Sequence, residues 1–145
     1  MKINYINGDI LKDDADGIVI PVNTVGVPGA GLAKAWAQKD PVAAGVYKAL
    51  CKQGRIKIGE VAIVKHGDTR WVMFPTKDHW KHPSRLEWIE AGLMDLQRYA
   101  PGFQSLAVPA LGCGLGGLKW DDVKRLMETY LSQIGIPVSV YPPKQ

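Results

Sequence analysis

Two glycine-rich segments of this chain each follow an apolar run and precede a helical pattern. The first, residues 23–33, follows the β-branched run 17–22; the second, residues 110–120, follows Leu106–Pro109 and holds four glycines within six residues. A strand that ends in such a loop before a helix exposes backbone N–H groups at the positive end of the helix dipole, and glycine has no Cβ to keep a ligand away. The pattern predicts a phosphate or diphosphate held between two loops.

The second segment matches neither of the two common phosphate-binding motifs. It is not a P-loop, because no Lys-Ser or Lys-Thr follows its last glycine. A dinucleotide-binding Rossmann site has its glycine loop early, with an acidic residue about 20 positions later at the end of the next strand. Here one more strand follows, and it ends in Tyr141-Pro142-Pro143. The anion site therefore belongs to another fold.

Length and composition indicate a soluble globular chain with a single domain spanning residues 1–145. Its hydrophobic fraction is 46% and its charged fraction 22%, and no apolar run approaches the ~18–20 residues of a membrane span. The cysteines at 51 and 113 form neither a disulfide framework nor a metal-ligand spacing. We therefore expect a cytoplasmic protein without metal, cofactor or membrane contact. The net charge of +4 is compatible with a nucleic-acid partner but does not demand one.

Apolar strand patterns and helical patterns alternate along the chain. Strands are predicted at residues 3–7, 17–22, 60–65, 70–75, 105–109 and 138–141. Helices are predicted at 32–38, at 41–52, from a capping box at Ser84 and Glu87 to Pro101, and over apolar positions 123–134 with Gly135 as C′ residue. This order predicts an α/β or α+β layered domain with a mixed sheet and helices on both faces.

Three segments together resemble the macrodomain family: Gly8-Asp9-Ile10, residues 22–33 and residues 108–114. The similarity covers nearly the whole chain in order and implies an α/β/α three-layer sandwich that binds ADP-ribose. By this resemblance Asp9 contacts adenine, Asn23 lies near the distal ribose, and the backbone of residues 112–117 holds the phosphates. The binding residues that it implies are Asp9, Ile10, Asn23, Gly29, Gly31, Leu32, Ala110, Gly112, Cys113, Gly114, Leu115, Gly116 and Gly117.

Further segments, residues 74–81, 84–87 and 91–93, resemble the DarG-type glycohydrolase branch of that family. Members of this branch remove ADP-ribose from nucleobases of single-stranded DNA modified by a transferase toxin. The resemblance implies that Lys77 is the catalytic residue and that His79, Trp80 and Lys81 lie on the nucleic-acid side. It also implies ADP-ribosylated single-stranded DNA as substrate and an ADP-ribosyltransferase toxin as a candidate partner of a monomeric enzyme.

Two positions depart from the patterns of related glycohydrolases. Gly116 stands where the human terminal ADP-ribose glycohydrolase, a member of the same branch with a lysine matching Lys77, has an aspartate that helps complete hydrolysis. That two-residue mechanism therefore does not carry over whole. Thr24 stands where a cysteine often follows the asparagine of the first loop. The glycine at 116 favours the DarG side, and it leaves Lys77 as the candidate for the chemistry.

Each candidate residue also has a plain structural interpretation. Lys77 could trap the anomeric carbon as a neutral amine, or could be a solvated lysine. Asp9 and Asn23 could instead stabilise turns, and Trp80 could be a packing residue. Cys113 is expected to be a small buried thiol without a catalytic role. At the level of function, the alternatives are a non-catalytic ADP-ribose reader and an enzyme acting on ADP-ribosylated glutamate or O-acyl-ADP-ribose.

Overall fold

A computed structural model describes residues 3–144, which form one six-stranded sheet and four α-helices. The strands are β1 (Ile3–Tyr5), β2 (Gly17–Asn23), β3 (Ala62–His66), β4 (Thr69–Lys77), β5 (Leu106–Pro109) and β6 (Val138–Tyr141). The helices are α1 (Gly31–Lys39), α2 (Pro41–Lys52), α3 (Leu86–Tyr99) and α4 (Trp120–Leu131). Short 3₁₀ turns at Ile10–Lys12 and Ala100–Gly102 complete the described elements.

The sheet is mixed, as the sequence predicted. Its strand order is β1-β6-β5-β2-β4-β3, and every neighbouring pair is parallel except β3 and β4. Those two strands form a hairpin at one edge, where Gly67 adopts φ +62° in the turn. The four strands β6, β5, β2 and β4 therefore all end at the same edge of the sheet.

Side chains alternate between two apolar layers along each central strand, because successive strand residues point to opposite faces. On one face the strands pack against α1 and α2, through Ile18, Ile20, Trp71, Met73, Trp36 and Tyr47. On the other face they pack against α3 and α4, through Val19, Phe74, Val108, Leu93, Leu96 and Met127. This arrangement confirms the predicted α/β/α three-layer sandwich.

The chain leaves the adjacent strands β2 and β5 toward opposite faces of the sheet. The loop after β2 leads to α1, and the loop after β5 leads to α4. In open α/β sheets, such a reversal opens a crevice beyond the carboxyl ends of the strands, and ligands bind there. The fold thus places both glycine-rich segments beside one another at the place where this architecture builds its sites.

The predicted capping box at Ser84 and Glu87 is wrong. Helix α3 begins after Arg85 and has no side-chain cap. The backbone N–H of Ser84 donates instead to the carbonyl of Gly116 at 3.0 Å, and the Ser84 side chain is buried. A contact with a distant loop has overridden a local motif.

Several predicted element ends differ from the structure, such as that of β1, which ends at Tyr5 rather than residue 7. Strand β4 does not end at Pro75 but runs to Lys77, because the β2–β4 register shifts after Val22 and pairs Asn23 with Lys77. Helix α4 ends at Leu131 rather than Ile134, since the N–H groups of Gln133 and Ile134 donate to carbonyls three residues back and tighten the chain into turns. Gly135 is therefore not the C′ residue of this helix.

Candidate active site

A cleft of about 1370 Å³ opens at the carboxyl ends of β2, β4, β5 and β6. Its volume exceeds the roughly 300–1,000 Å³ of typical small-molecule sites, so it has room for a ligand of dinucleotide size. Both glycine-rich segments line it, together with residues 8–11 and the ends of β4 and β6. The cleft is the place where the fold predicts a ligand.

The second glycine-rich segment is folded by its own backbone hydrogen bonds. The N–H of Leu118 donates to the carbonyl of Gly112 at 2.9 Å, and Gly112 and Gly117 both have positive φ, +72° and +80°. Within residues 3–144, the N–H groups of Gly114 and Leu115 donate to no protein acceptor. Consecutive free N–H groups in such a turn form an anion-binding concavity.

Gly116 lies in the tightest part of this loop. A Cβ at this position would lie 2.4 Å from Ser84 Oγ and 2.5 Å from the carbonyl oxygen of Gly112. No side chain fits without a shift of the backbone, which explains physically why an acid is absent here. The Ser84 hydroxyl beneath it is buried and has no hydrogen-bond partner among the described residues.

The first glycine-rich segment presents the N-terminus of α1 to the cleft. The residue before the helix is Ala30, which has no side chain that could accept from the first-turn N–H groups. Residues 29–33 line the cleft, with Gly31 at φ +59°. An uncapped helix N-terminus carries free donors and a partial positive charge, and both favour an anionic ligand.

Asn23 organises the segment that leads to this helix. Its Oδ1 accepts from the N–H groups of Val25, Gly26 and Val27 at 3.0–3.2 Å, and its amide donates to the carbonyl of Val27 at 2.9 Å. The hydroxyl of Tyr47 donates to the Asn23 carbonyl at 2.6 Å. Burial raises the pKa of Tyr47 far above its usual value. Asn23 therefore stabilises this loop by its side-chain hydrogen bonds, and its contact with ribose stays a prediction.

Asp9 also has a local structural role. One carboxylate oxygen accepts from the backbone N–H of Leu11 at 3.0 Å, as the N-cap of the 3₁₀ turn Ile10–Lys12. The side chain is exposed at the cleft wall, and its second oxygen has no partner among the described residues. The turn role leaves this oxygen available to a ligand, so the adenine contact stays a prediction.

Lys77 is the last residue of β4 and lines the cleft. Its carbonyl accepts from the N–H of Thr24 at 3.1 Å, which fixes the backbone directly beside the first glycine-rich segment. Its Nζ donates to the carbonyl of Trp80 at 3.3 Å. The amine is therefore held at the cleft by a single weak contact that a ligand can replace.

The loop after Lys77 forms the rim of the cleft. Trp80 is 47% exposed, with the ring of His79 stacked at 5.3 Å and Nζ of Lys81 at 5.1 Å from its ring. His82 pairs with Asp78 at 2.9 Å. Trp80 and Lys81 line the cleft, whereas His79 lies behind Trp80 and does not. An exposed indole beside a cation can stack on a nucleobase.

Cys113 has none of the properties of a nucleophile. Burial raises the pKa of its thiol to about 11. The residue packs against the core, and the hydrogen bond that its Sγ forms within the described residues is to the carbonyl of Leu111 at 3.5 Å. A nucleophilic thiol needs a lowered pKa and an adjacent base or cation. The structure agrees with the structural role expected for this residue.

A family model, described as "Macro domain", matches residues 19–127. This chain belongs to the macrodomain family. The chain is also similar to the "DNA ADP-ribosyl glycohydrolase" of Mycobacterium tuberculosis, with 39% identity over 97% of this chain and 42% of the relative. The solved "Macrodomain of Mycobacterium tuberculosis DarG" superposes with a TM-score of 0.91, at 38% identity over 98% of both chains.

A second similar structure, "Thermosipho africanus DarTG in complex with ADP-ribose", has a TM-score of 0.93 at 38% identity, over 99% of this chain and 43% of that one. The human "ADP-ribose glycohydrolase OARD1" is more distant, at 28% identity over 97% of this chain and 91% of the relative. This macrodomain therefore spans about two fifths of the length of the DarG relatives.

The structure brings nearly all the predicted site residues of this macrodomain into one cleft. All thirteen expected binding residues and Lys77, Trp80 and Lys81 line it, and His79 alone does not. Sequence reasoning missed Tyr141 and Pro142, which line the cleft at the end of β6. Their position at the carboxyl end of a predicted parallel strand was the available signal. Burial, and then the hydrogen bond to Asp13, raise the pKa of Tyr141 to about 12.

The described part of the molecule shows neither a candidate metal site nor a membrane-spanning helix. Over residues 3–144, no group of three or more His, Cys, Asp or Glu side chains could hold a metal ion. No described helix is long and apolar enough to cross a membrane.

Proposed function

We propose that this macrodomain binds ADP-ribose linked to a nucleobase in single-stranded DNA and hydrolyses the linking N-glycosidic bond. The observation that carries the proposal is the position of Lys77, which lies on the wall of the two-loop cleft and directly beside the exposed Trp80 rim. A diphosphate cradle, an amine and an aromatic rim in one cleft suit a substrate with phosphate, sugar and base. The names of the DarG relatives support the same reaction.

The two glycine-rich loops are proposed to hold the diphosphate between them. Free N–H groups of the second loop and the uncapped N-terminus of α1 both lie at the cleft. Donors that are already oriented bind an anion without further ordering cost. At one end of the cleft the free oxygen of Asp9 would accept from the exocyclic amine of adenine. At the other end the distal ribose would lie near Asn23.

Lys77 is proposed to act at the anomeric carbon of that ribose. Hydrolysis breaks the bond from this carbon to the base nitrogen, the nitrogen takes the electron pair and a proton, and water supplies the new hydroxyl group. A neutral Lys77 amine could attack the carbon and form an imine with the opened sugar, which water then releases. Alternatively, the amine could promote direct attack by water. Gly116 supplies no acid to either route, since a side chain does not fit there.

The base and the adjoining strand are proposed to lie at the Trp80 rim. The exposed indole would stack on a base, and Lys81 would contact a phosphate. With DNA as its substrate, the enzyme is proposed to act in the cytoplasm, as a monomer. A relative from Thermosipho africanus is named a fusion of a DNA ADP-ribosyl transferase and a DNA ADP-ribosyl glycohydrolase, which supports a transferase as its partner.

A comparison of conjugates tests this function. ADP-ribosylated single-stranded DNA, ADP-ribosylated glutamate on a protein and O-acyl-ADP-ribose are incubated with the protein, and free ADP-ribose is measured. We expect release from the DNA conjugate. Faster release from the protein conjugate or the acyl conjugate would mean that this conjugate, and not the DNA, is the substrate.

The alternative is a non-catalytic ADP-ribose reader, which would need the two loops and Asp9, all of which line the cleft, but not Lys77. Calorimetry with free ADP-ribose separates it from the enzyme. Binding by both wild type and Lys77→Ala, with no turnover of any conjugate by the wild type, would identify a reader.

A further inference from the structure

The positive charge of this chain is concentrated in one segment. Residues 31–59 hold six lysines and arginines and one acid, Asp40, whereas the whole chain has a net charge of only +4. The remainder of the chain is therefore close to neutral. Asp40 is buried and hydrogen-bonded to His66 and Trp71, and among the described residues it forms no ion pair with a lysine or arginine. All six are exposed: Lys34, Lys39, Lys48, Lys52, Arg55 and Lys57.

Two of these cations, Lys48 and Lys52, lie on the helix turn that packs against the first glycine-rich segment. They are one helical turn apart near the end of α2, where like charges at i and i+4 repel each other. Gly26 packs against this turn, since a Cβ there would lie 3.6 Å from the Cα of Lys48. Within the described residues, neither lysine forms an ion pair. This charge is left unneutralised next to the first loop.

The first glycine-rich segment connects these lysines to the rim through two contacts, one at Gly26 and one at Thr24. Val25 is 45% exposed between Gly26 and Thr24, and the hydroxyl of Thr24 donates to the carbonyl of Asp78 at 2.6 Å. Asp78 directly precedes the rim that carries Trp80. A path thus leads from the rim across Thr24 and Val25 to α2.

We propose that the DNA strand leaving the modified base follows this path and places its phosphates on Lys48 and Lys52. The inference rests on the proposed function and adds a docking surface to it. Single strands are gripped by cations that follow the backbone together with aromatic rings that stack on bases. Trp80 supplies the ring, the exposed Val25 gives an apolar contact, and the two lysines supply the charge.

The test measures the salt dependence of binding to a short fluorescein-labelled oligothymidylate without ADP-ribose. Wild type is compared with Lys48→Gln/Lys52→Gln by anisotropy over about 0.05–0.2 M NaCl. Each phosphate contact contributes about 0.7 to the slope of log K against log salt, so the double variant loses about 1.4 from this slope. At 0.1 M salt the same relation gives about 25-fold weaker binding.

The matched control is Lys65→Gln/Arg125→Gln, which removes the same charge from exposed positions. Lys65 lies on β3 at the end of the sheet away from the cleft, and Arg125 lies on α4 on the opposite face. We expect this control to keep most of the wild-type slope, and both double variants to bind free ADP-ribose as the wild type does. Equal slopes for the two double variants would overturn the docking surface.

Two further outcomes separate this inference from its alternatives. If the Lys48/Lys52 variant loses binding to the transferase partner but keeps oligothymidylate binding, the surface serves an acidic protein and the inference is wrong. If oligothymidylate binding depends on the two lysines while the wild type releases no ADP-ribose from DNA, the docking surface stands and the proposed hydrolysis fails.

Discussion

Alanine substitutions at three glycines of the second loop are expected to have three different effects. At Gly114, a Cβ meets nothing within 4 Å and φ is not positive. At Gly117, space is open but φ is +80°. At Gly116, the Cβ would lie 2.4 Å from Ser84 Oγ and 2.5 Å from the carbonyl oxygen of Gly112. The same Gly→Ala change therefore tests open space, backbone strain and overpacking at three positions within four residues.

The expected losses of unfolding free energy follow from these environments. Gly114→Ala changes it by less than about 0.5 kcal/mol, as for a surface position without special geometry. Gly117→Ala costs about 1–2 kcal/mol, because a side chain is forced into a left-handed conformation. Gly116→Ala costs about 1–3 kcal/mol, since the loop must shift to make room. That shift should also weaken ADP-ribose binding.

Urea unfolding of a double-mutant cycle with Ser84→Gly identifies the cause at Gly116. Removing the Ser84 side chain should relieve part of the loss at Gly116 and none of the loss at Gly117, because Gly116 packs on Ser84 and Gly117 does not. Relief should be incomplete, since the clash with the Gly112 backbone remains. The reasoning is refuted if Gly116→Ala is as stable as Gly114→Ala, or if Ser84→Gly relieves Gly117→Ala equally.

Three further predictions concern other parts of the molecule. Burial opposes the charge of Asp40, but hydrogen bonds, including those from His66 and Trp71, outweigh it and hold its pKa below the usual range. The stability that Asp40 contributes is therefore complete above about pH 4, its pKa in the unfolded chain, and is lost as the pH falls through its lower pKa in the folded protein. In urea unfolding, the free energy of unfolding of Asp40→Asn should fall less on acidification than that of the wild type. Cys113→Ala should keep wild-type turnover, and the Cys113 thiol should alkylate more slowly than glutathione at pH 8, because its pKa is about 11. Trp80→Ala should raise KM for an ADP-ribosylated oligonucleotide and leave calorimetric binding of free ADP-ribose unchanged; a loss of both would place the indole in the ADP-ribose site.

The layers and the place of the site were readable from the sequence, because glycine loops and apolar periodicity are local patterns. The reversal between β2 and β5 then brings the two loops together. Features that depend on contacts between distant parts of the chain could not be predicted from these local patterns. Ser84 fits a capping box by spacing, yet its backbone pairs with Gly116, 32 residues away. The path of β4 through Pro75 to Lys77 likewise depends on a register shift against β2.

The roles of Asn23 and His79 likewise depend on contacts that local sequence patterns do not determine. The sequence left Asn23 between a ligand contact and a turn, and only the structure shows three backbone N–H groups converging on its Oδ1. His79 and Trp80 are adjacent in sequence, and both were predicted to lie on the nucleic-acid side. The fold turns only the indole into the cleft and stacks the imidazole behind it.

The role of Lys77 is tested most directly by single-turnover release of ADP-ribose from ADP-ribosylated single-stranded DNA. Wild type is compared with Lys77→Ala, after calorimetry has shown that both bind free ADP-ribose. We predict release by the wild type and a loss of about 10²-fold or more in the variant, the scale of one positioned catalytic group. Equal rates, or no release by the wild type, would contradict the assignment of Lys77 as the catalytic residue.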